Sequence, residues 1–150
     1  MIILSKYLVL FAVGGGGYYS IELLFRGYSH WSMFVLGGIC LILCGFVNEG
    51  DRRNIPLWIQ MALCSLIITT LELDTGLIFN IWLGMDIWDY SYQPFNFLGQ
   101  ICPLFTLIWF FLSILAIVAD DYIRYWFYGG EKPAYIVTIG QLKLSKIKNI

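Results

Sequence analysis

Charge is scarce in this chain. Of its 150 residues only 13% are charged, while 59% are hydrophobic and 18% aromatic. Soluble domains carry about 25% charged residues, so a water-surrounded globular domain is excluded and most of the surface must meet lipid. The Gly14-Gly15-Gly16-Gly17 run is not followed by Gly-Lys-Ser/Thr, which excludes nucleotide binding through a phosphate loop. The first apolar run is preceded by one lysine, has no clear small-x-small cleavage site, and is long enough to span, so it is not read as a secretion signal. All four cysteines (Cys40, Cys44, Cys64, Cys102) fall in apolar runs, where a disulfide framework is not expected and thiols behave as small hydrophobes. Cys40 and Cys44 share a helix face at i,i+4, but no histidine lies in their run, so packing is favoured over metal ligation. No metal site, cofactor or nucleic-acid partner is expected.

What remains is apolar sequence in blocks. Four runs, residues 7–25, 31–47, 55–79 and 99–119, predict an all-α membrane protein of four transmembrane helices within a domain over residues 1–128. The lengths approach what is needed to cross a ~30 Å hydrocarbon core. Asn54 and Pro56 read as the cap and first turn of the third helix, and Pro103 as a first-turn residue or a kink in the fourth. The glycine run suits close helix packing, a broken helix, or both, with Gly37-Gly38 as a facing surface. Residues 129–150 read as a basic cytoplasmic tail. Within it residues 142–148 alternate apolar and basic side chains, suited either to the anionic inner leaflet or to a solvated terminus. Tyr122, Tyr125, Trp126 and Tyr128 read as an interfacial aromatic belt.

The sign of the charge sets an expected topology. Lys6, Arg52, Arg53, Arg124, Lys132, Lys143, Lys146 and Lys148 fall on one side of a four-helix arrangement and Arg26 alone on the other. The positive-inside rule then predicts both termini in the cytoplasm. The segment between the third and fourth runs agrees: it holds Asp86, Trp88, Asp89 and Tyr90 but no lysine or arginine. Helices one and two resemble three and four in outline, with Glu22 and Glu72 near equivalent outer ends and Gly-x-Ile-Cys segments around Cys40 and Cys102. Two parallel helix-hairpin repeats and chance similarity between apolar sequences both fit that pattern.

Polar residues inside apolar runs are the candidate functional groups, because a charge at the bilayer centre costs ~2.5 to 3.5 kcal/mol on insertion scales. Glu22 and Glu72 are expected to form a substrate or proton site if they converge, since two close carboxylates hold a proton or a cation. The plainer alternatives are that Glu22 pairs with Arg26 one turn on, and that Glu72 reaches interfacial water beside Asp74. His30 would shuttle protons, bind an anionic head group with Arg26, or simply bond its own turn. Ser29 and His30 are neighbours without a third triad member, so hydrolase chemistry is weakly supported and no catalytic set is assigned. Asn96 and Gln100 are expected to join the Glu22 and Glu72 site, with His30 and Arg26, as amides lining a polar cavity, or else to cap the fourth helix and bridge helices, the cap being favoured for Asn96. Asp86 and Asp89 match no calcium-loop spacing and read as solvated loop acids.

Several motifs carry a resemblance. Arg26-Gly-Tyr-Ser-His-Trp-Ser-Met33, Gly37-Gly38-Ile39-Cys40, Trp88-Asp-Tyr-Ser91, Pro94-Phe-Asn-Phe-Leu-Gly-Gln-Ile-Cys102, Asp120-Asp-Tyr-Ile-Arg-Tyr-Trp126 and Glu131-Lys-Pro133 are similar to those of the bacterial putative ABC-transporter type IV (CmpB-like) membrane proteins. The resemblance covers nearly the whole chain to about residue 135. It implies a permease-like or transporter-associated multipass protein of the plasma membrane, with a separate ATPase subunit as partner. Four helices are few for such a permease, and a homodimer would supply more. A membrane enzyme acting on lipid head groups, with His30, Arg26 and Asp89, is one alternative function. A non-catalytic scaffold or assembly subunit is the other.

Overall fold

Cys102 precedes proline, and a residue in that position is driven out of the helical region. In the computed structural model, which describes residues 2–47, 49 and 55–137, Cys102 is fully extended and the last helix starts at Pro103. Its ring there costs nothing, because the missing N–H would be unpaired in a first turn. Four helices form: α1 (Ile2–Arg26), α2 (Trp31–Gly45), α3 (Leu57–Gly76) and α4 (Pro103–Tyr128). A π-helical turn, Leu77–Trp82, continues α3 without a break. No β-strand forms among the described residues; one isolated bridge joins Phe97 and Ile101. Asn54, Arg52, Arg53 and residues 142–148, to which the sequence assigned a cap, topology charges and a leaflet-binding segment, lie outside the described residues.

The helix bounds depart from the apolar runs for local reasons. The fourth helix does not begin near Gly99. Phe95, Leu98 and Gly99 all have positive φ, of 57°, 54° and 69°, and three left-handed residues in five cannot continue a right-handed helix. It also runs past residue 119, because Arg124 lies one turn beyond Asp120 and Asp121 and neutralises both. Left-handed Gly129 ends it, its N–H bonding to the Arg124 carbonyl. α1 starts five residues early, since Lys6 reaches along the helix to Glu49 and does not interrupt it. Three stretches, Ile3–Arg26, Leu57–Trp82 and Pro103–Tyr128, are long and apolar enough to cross a membrane. α2, expected to span, has 15 residues, or about 22 Å at 1.5 Å per residue, short of a ~30 Å core.

Close helix contact takes place at glycine. A Cβ on Gly14 would lie 2.5 Å from the Gly37 carbonyl oxygen, and one on Gly37 would lie 2.4 Å from the Tyr18 Cβ. α1 stays unbroken through its four glycines, of which Gly14 and Gly15 meet α2 closely while a Cβ on Gly16 or Gly17 would meet nothing within 4 Å. α3 and α4 are stitched by hydroxyls: Ser65 donates to the Thr106 carbonyl at 2.7 Å and Ser113 to the Met61 carbonyl at 3.2 Å. These pairings set the start of α4 beside the upper part of α3. The π-helical end of α3 therefore projects about 15 Å beyond Pro103, and residues 83–102 fold down against that projection. At the opposite end, residues past Gly129 turn back across the bundle. The Ile136 carbonyl accepts the Leu57 N–H at 2.8 Å, and Tyr135 packs on the core.

Candidate functional site

Two polar layers cap the ends of this bundle, one at the end where α1 finishes and one where α1 starts. At the first, Glu22 is locked. Its Oε1 accepts from the Arg26 Nη1 at 2.8 Å and its Oε2 from the Ser29 hydroxyl at 2.6 Å. Arg26 also donates to the Tyr28 hydroxyl at 2.9 Å and to the Ile87 carbonyl. This clasp ties the end of α1 to the loop between α3 and α4. The i,i+4 pairing with Arg26, one of two readings for Glu22, is the arrangement observed.

Glu72 has a different environment. It does not reach interfacial water: it is 1% exposed. Its Oε1 accepts from the Tyr90 hydroxyl at 3.0 Å and its Oε2 from the Trp109 indole N–H at 2.9 Å. Both donors are neutral, and Glu72 forms no ion pair among the described residues. The other two buried carboxylates, Glu22 and Asp120, each have an arginine. Glu22 and Glu72 are electrostatic neighbours, but each is bonded to its own donors, so no hydrogen-bonded carboxyl pair forms. Aromatic rings brace the site: Tyr90 stacks on Phe105 at 4.3 Å, and Tyr18 on Trp109 at 5.3 Å. Burial pushes the Tyr90 phenol well up from its ordinary range, and the nearby Glu72 charge adds to this, so Tyr90 keeps its proton.

The loop over Glu72 is fastened by amides. Asn80 donates to the Trp88 carbonyl at 2.9 Å and to the Gln100 Oε1 at 2.8 Å, and accepts from the Ile87 N–H at 2.7 Å. The Trp88 indole donates to the Gln100 carbonyl at 3.0 Å. Gln100 thus bridges within this network. Asn96 does not cap α4, whose cap residue is Cys102. Its Oδ1 closes a turn by accepting the Gly99 N–H at 3.0 Å. Asp89 is exposed, and the Ser91 hydroxyl and N–H hold its carboxyl below the usual range. Asp86 is exposed with a φ of 49°. His30 caps α2, accepting the Ser32 N–H on Nδ1 at 3.3 Å. Ser29 bonds to Glu22 and His30 to Ser32, so those neighbours do not form a nucleophile–base pair.

The second layer was not singled out from the sequence. Arg124 pairs with Asp120, with Asp121 at 3.0 Å and with Glu49 at 3.5 Å, and Glu49 takes Lys6 at 3.2 Å. Gly45 leaves the room: a Cβ there would fall 2.4 Å from the Asp120 Oδ1. The signal available was the Asp120–Arg124 spacing of four, within a segment that entered the sequence reading only as a family-like motif and a topology charge. Asn80, Tyr18 and Trp109 were also missed. A lone amide directly after the third apolar run was the one available clue to the first of these.

A family model described as putative ABC-transporter type IV matches residues 18–138. The chain belongs to that family, and its three long apolar helices agree with a transporter-associated membrane protein. No solved structure matches the chain.

Proposed function

We propose that this family member is a permease-like membrane subunit of a transport system and that Glu72 is its proton-holding group. The observation that carries the reading is the buried Glu72 carboxylate, held in a membrane-length helix by neutral donors alone. An intramembrane carboxylate with no countercharge is the usual mark of a proton or ion pathway. The donor pair suits two protonation states. Trp109 can only donate, whereas the Tyr90 hydroxyl can donate or accept. Ionised Glu72 takes both bonds; protonated Glu72 gives its own O–H to Tyr90 and keeps the Trp109 bond on its carbonyl oxygen. Tyr90 belongs to the loop and Trp109 to α4, so the proton decides how the loop is held. With no phosphate loop in the chain, ATP hydrolysis falls to a separate subunit.

Infrared difference spectra between about pH 5 and about pH 8 test this. A carboxyl C=O band is expected to appear and vanish, and Glu72→Gln, which mimics the protonated form, is expected to abolish it. A spectrum unchanged by that substitution refutes the role. The second reading, an assembly subunit, is favoured by Glu22, whose two oxygens are both used inside the chain; it predicts no such band.

The same reading places the protein in the plasma membrane with both termini cytoplasmic. Lys6 and Arg124 share one end of the bundle, and Arg26 lies at the other, which supports that orientation. Fusion of a reporter active only in the cytoplasm to the C-terminus is expected to give signal, and one active only outside is expected to give none. The reverse pattern overturns the orientation.

A further inference from the structure

Between α1 and α4 lies a cavity of about 230 Å³. Gly14, Gly17, Tyr18, Trp109, Leu112 and Ala116 are among its walls, and no charged side chain lines it. Val13 and Leu115, also in its lining, are 44% and 61% exposed. The cavity therefore opens on the surface that the helices turn to lipid. Its polar character lies behind the wall. Trp109 lines the cavity, stacked with Tyr18, and passes its N–H to Glu72 at 2.9 Å. A hydrogen bond given to an anion pushes electron density back into the indole, the ring that attracts cations most strongly. Among the described residues, the carboxylate so engaged is the one buried acid without an arginine.

We propose that this cavity binds hydrophobic organic cations drawn from the bilayer, with Tyr18 and Trp109 as aromatic walls and Glu72 as the countercharge behind them. Charge complementarity selects the occupant. A neutral acyl chain gains nothing from Glu72, and an anion is repelled by it. A cation gains both the ring face and a Coulomb attraction that a low-dielectric interior does little to screen. The inference rests on Glu72 as the active group. If Glu72 also holds a proton, cation and proton compete, and cation affinity falls as the pH falls.

The test is equilibrium dialysis of the detergent-solubilised full chain with tetraphenylphosphonium and with tetraphenylborate, ions of like shape and opposite charge. The cation is expected to bind and the anion not. Glu72→Gln is expected to weaken the cation about tenfold or more, as is Gly17→Leu, each tenfold corresponding to 1.4 kcal/mol. Gly17 lines the cavity and a Cβ there meets nothing within 4 Å, so that variant is chosen to obstruct the cavity without disturbing the packing. The contrast between the two ions on the unsubstituted chain carries the charge test if Glu72→Gln does not fold. Equal binding of both ions, absence of cation binding, or cation binding untouched by Gly17→Leu overturns the proposal. The two readings fail separately. A Glu72 infrared band without cation binding refutes the cation site alone. Cation binding that depends on Glu72 but not on pH, with no band, refutes the proton role alone.

Discussion

Replacing Arg124 with alanine is expected to destabilise the fold by about 3–5 kcal/mol, the usual cost of stranding a buried charge. Asp120 is 1% exposed and packed against Gly45, so no water replaces the guanidinium. Arg124 also joins three parts of the chain at once, reaching Asp121 on α4, Glu49 after α2 and the Gly45 carbonyl at 3.4 Å. The Glu49 pair is half exposed and adds little by itself. Most of the loss comes from Asp120, so Asp120→Asn on top of Arg124→Ala should recover a large part of it. Arg124→Lys should fall between the two, because an ammonium cannot serve several acceptors in the plane of a guanidinium. Thermal unfolding in detergent, followed by circular dichroism, measures the series. An Arg124→Ala protein within about 0.5 kcal/mol of the parent, the range of a neutral surface change, would show that the cluster carries no stability.

The second large effect is a contrast within one glycine run. Gly14→Leu is expected to cost about 3 kcal/mol, the upper part of the range for overpacking. The Cβ would meet a backbone oxygen and the Leu41 Cβ, both at 2.5 Å. Neither can swing aside, so α1 and α2 must part. Gly16→Leu, two residues on, meets nothing within 4 Å and should be neutral or gain about 0.5 kcal/mol from better helix propensity. The same unfolding experiment decides it. Equal effects at both positions would mean that the helices do not meet along this face.

The helices were largely legible because apolar blocks of membrane length have few other solutions, and the packing role of Gly14 was legible from its density of small residues facing Gly37-Gly38. The start of α4 was misplaced because hydropathy does not register φ. Phe97 and Leu98 look like helix sequence, yet the run through Gly99 is left-handed at two of its positions and Cys102 is extended before proline. The shortness of α2 was hidden in the same way, since Phe46 and Val47 are apolar but lie beyond the helix. In the site, local pairs were within reach: Glu22 and Arg26 are one turn apart. The partners of Glu72 were not, because Tyr90 arrives from a folded loop and Trp109 from another helix, 37 positions along the chain. Periodicity names a buried carboxylate; only the tertiary fold says whether its donors are charged.

The hydrogen bond between the Leu57 N–H and the Ile136 carbonyl sets an order of events during synthesis. A first helical turn leaves N–H groups without partners, and for α3 one of those is satisfied by a residue made only after all of α4. While the ribosome is still adding residues 103–128, the start of α3 is unfinished. The glycine contacts between α1 and α2 lie within the first 45 residues, so that pair can close early, before Ile87 and Arg124 arrive to clasp its two ends. Synthesis beyond α4 supplies Tyr135, which packs on the core, and Ile136, which closes the start of α3. The α1–α2 half is thus built before the start of α3 can be sealed.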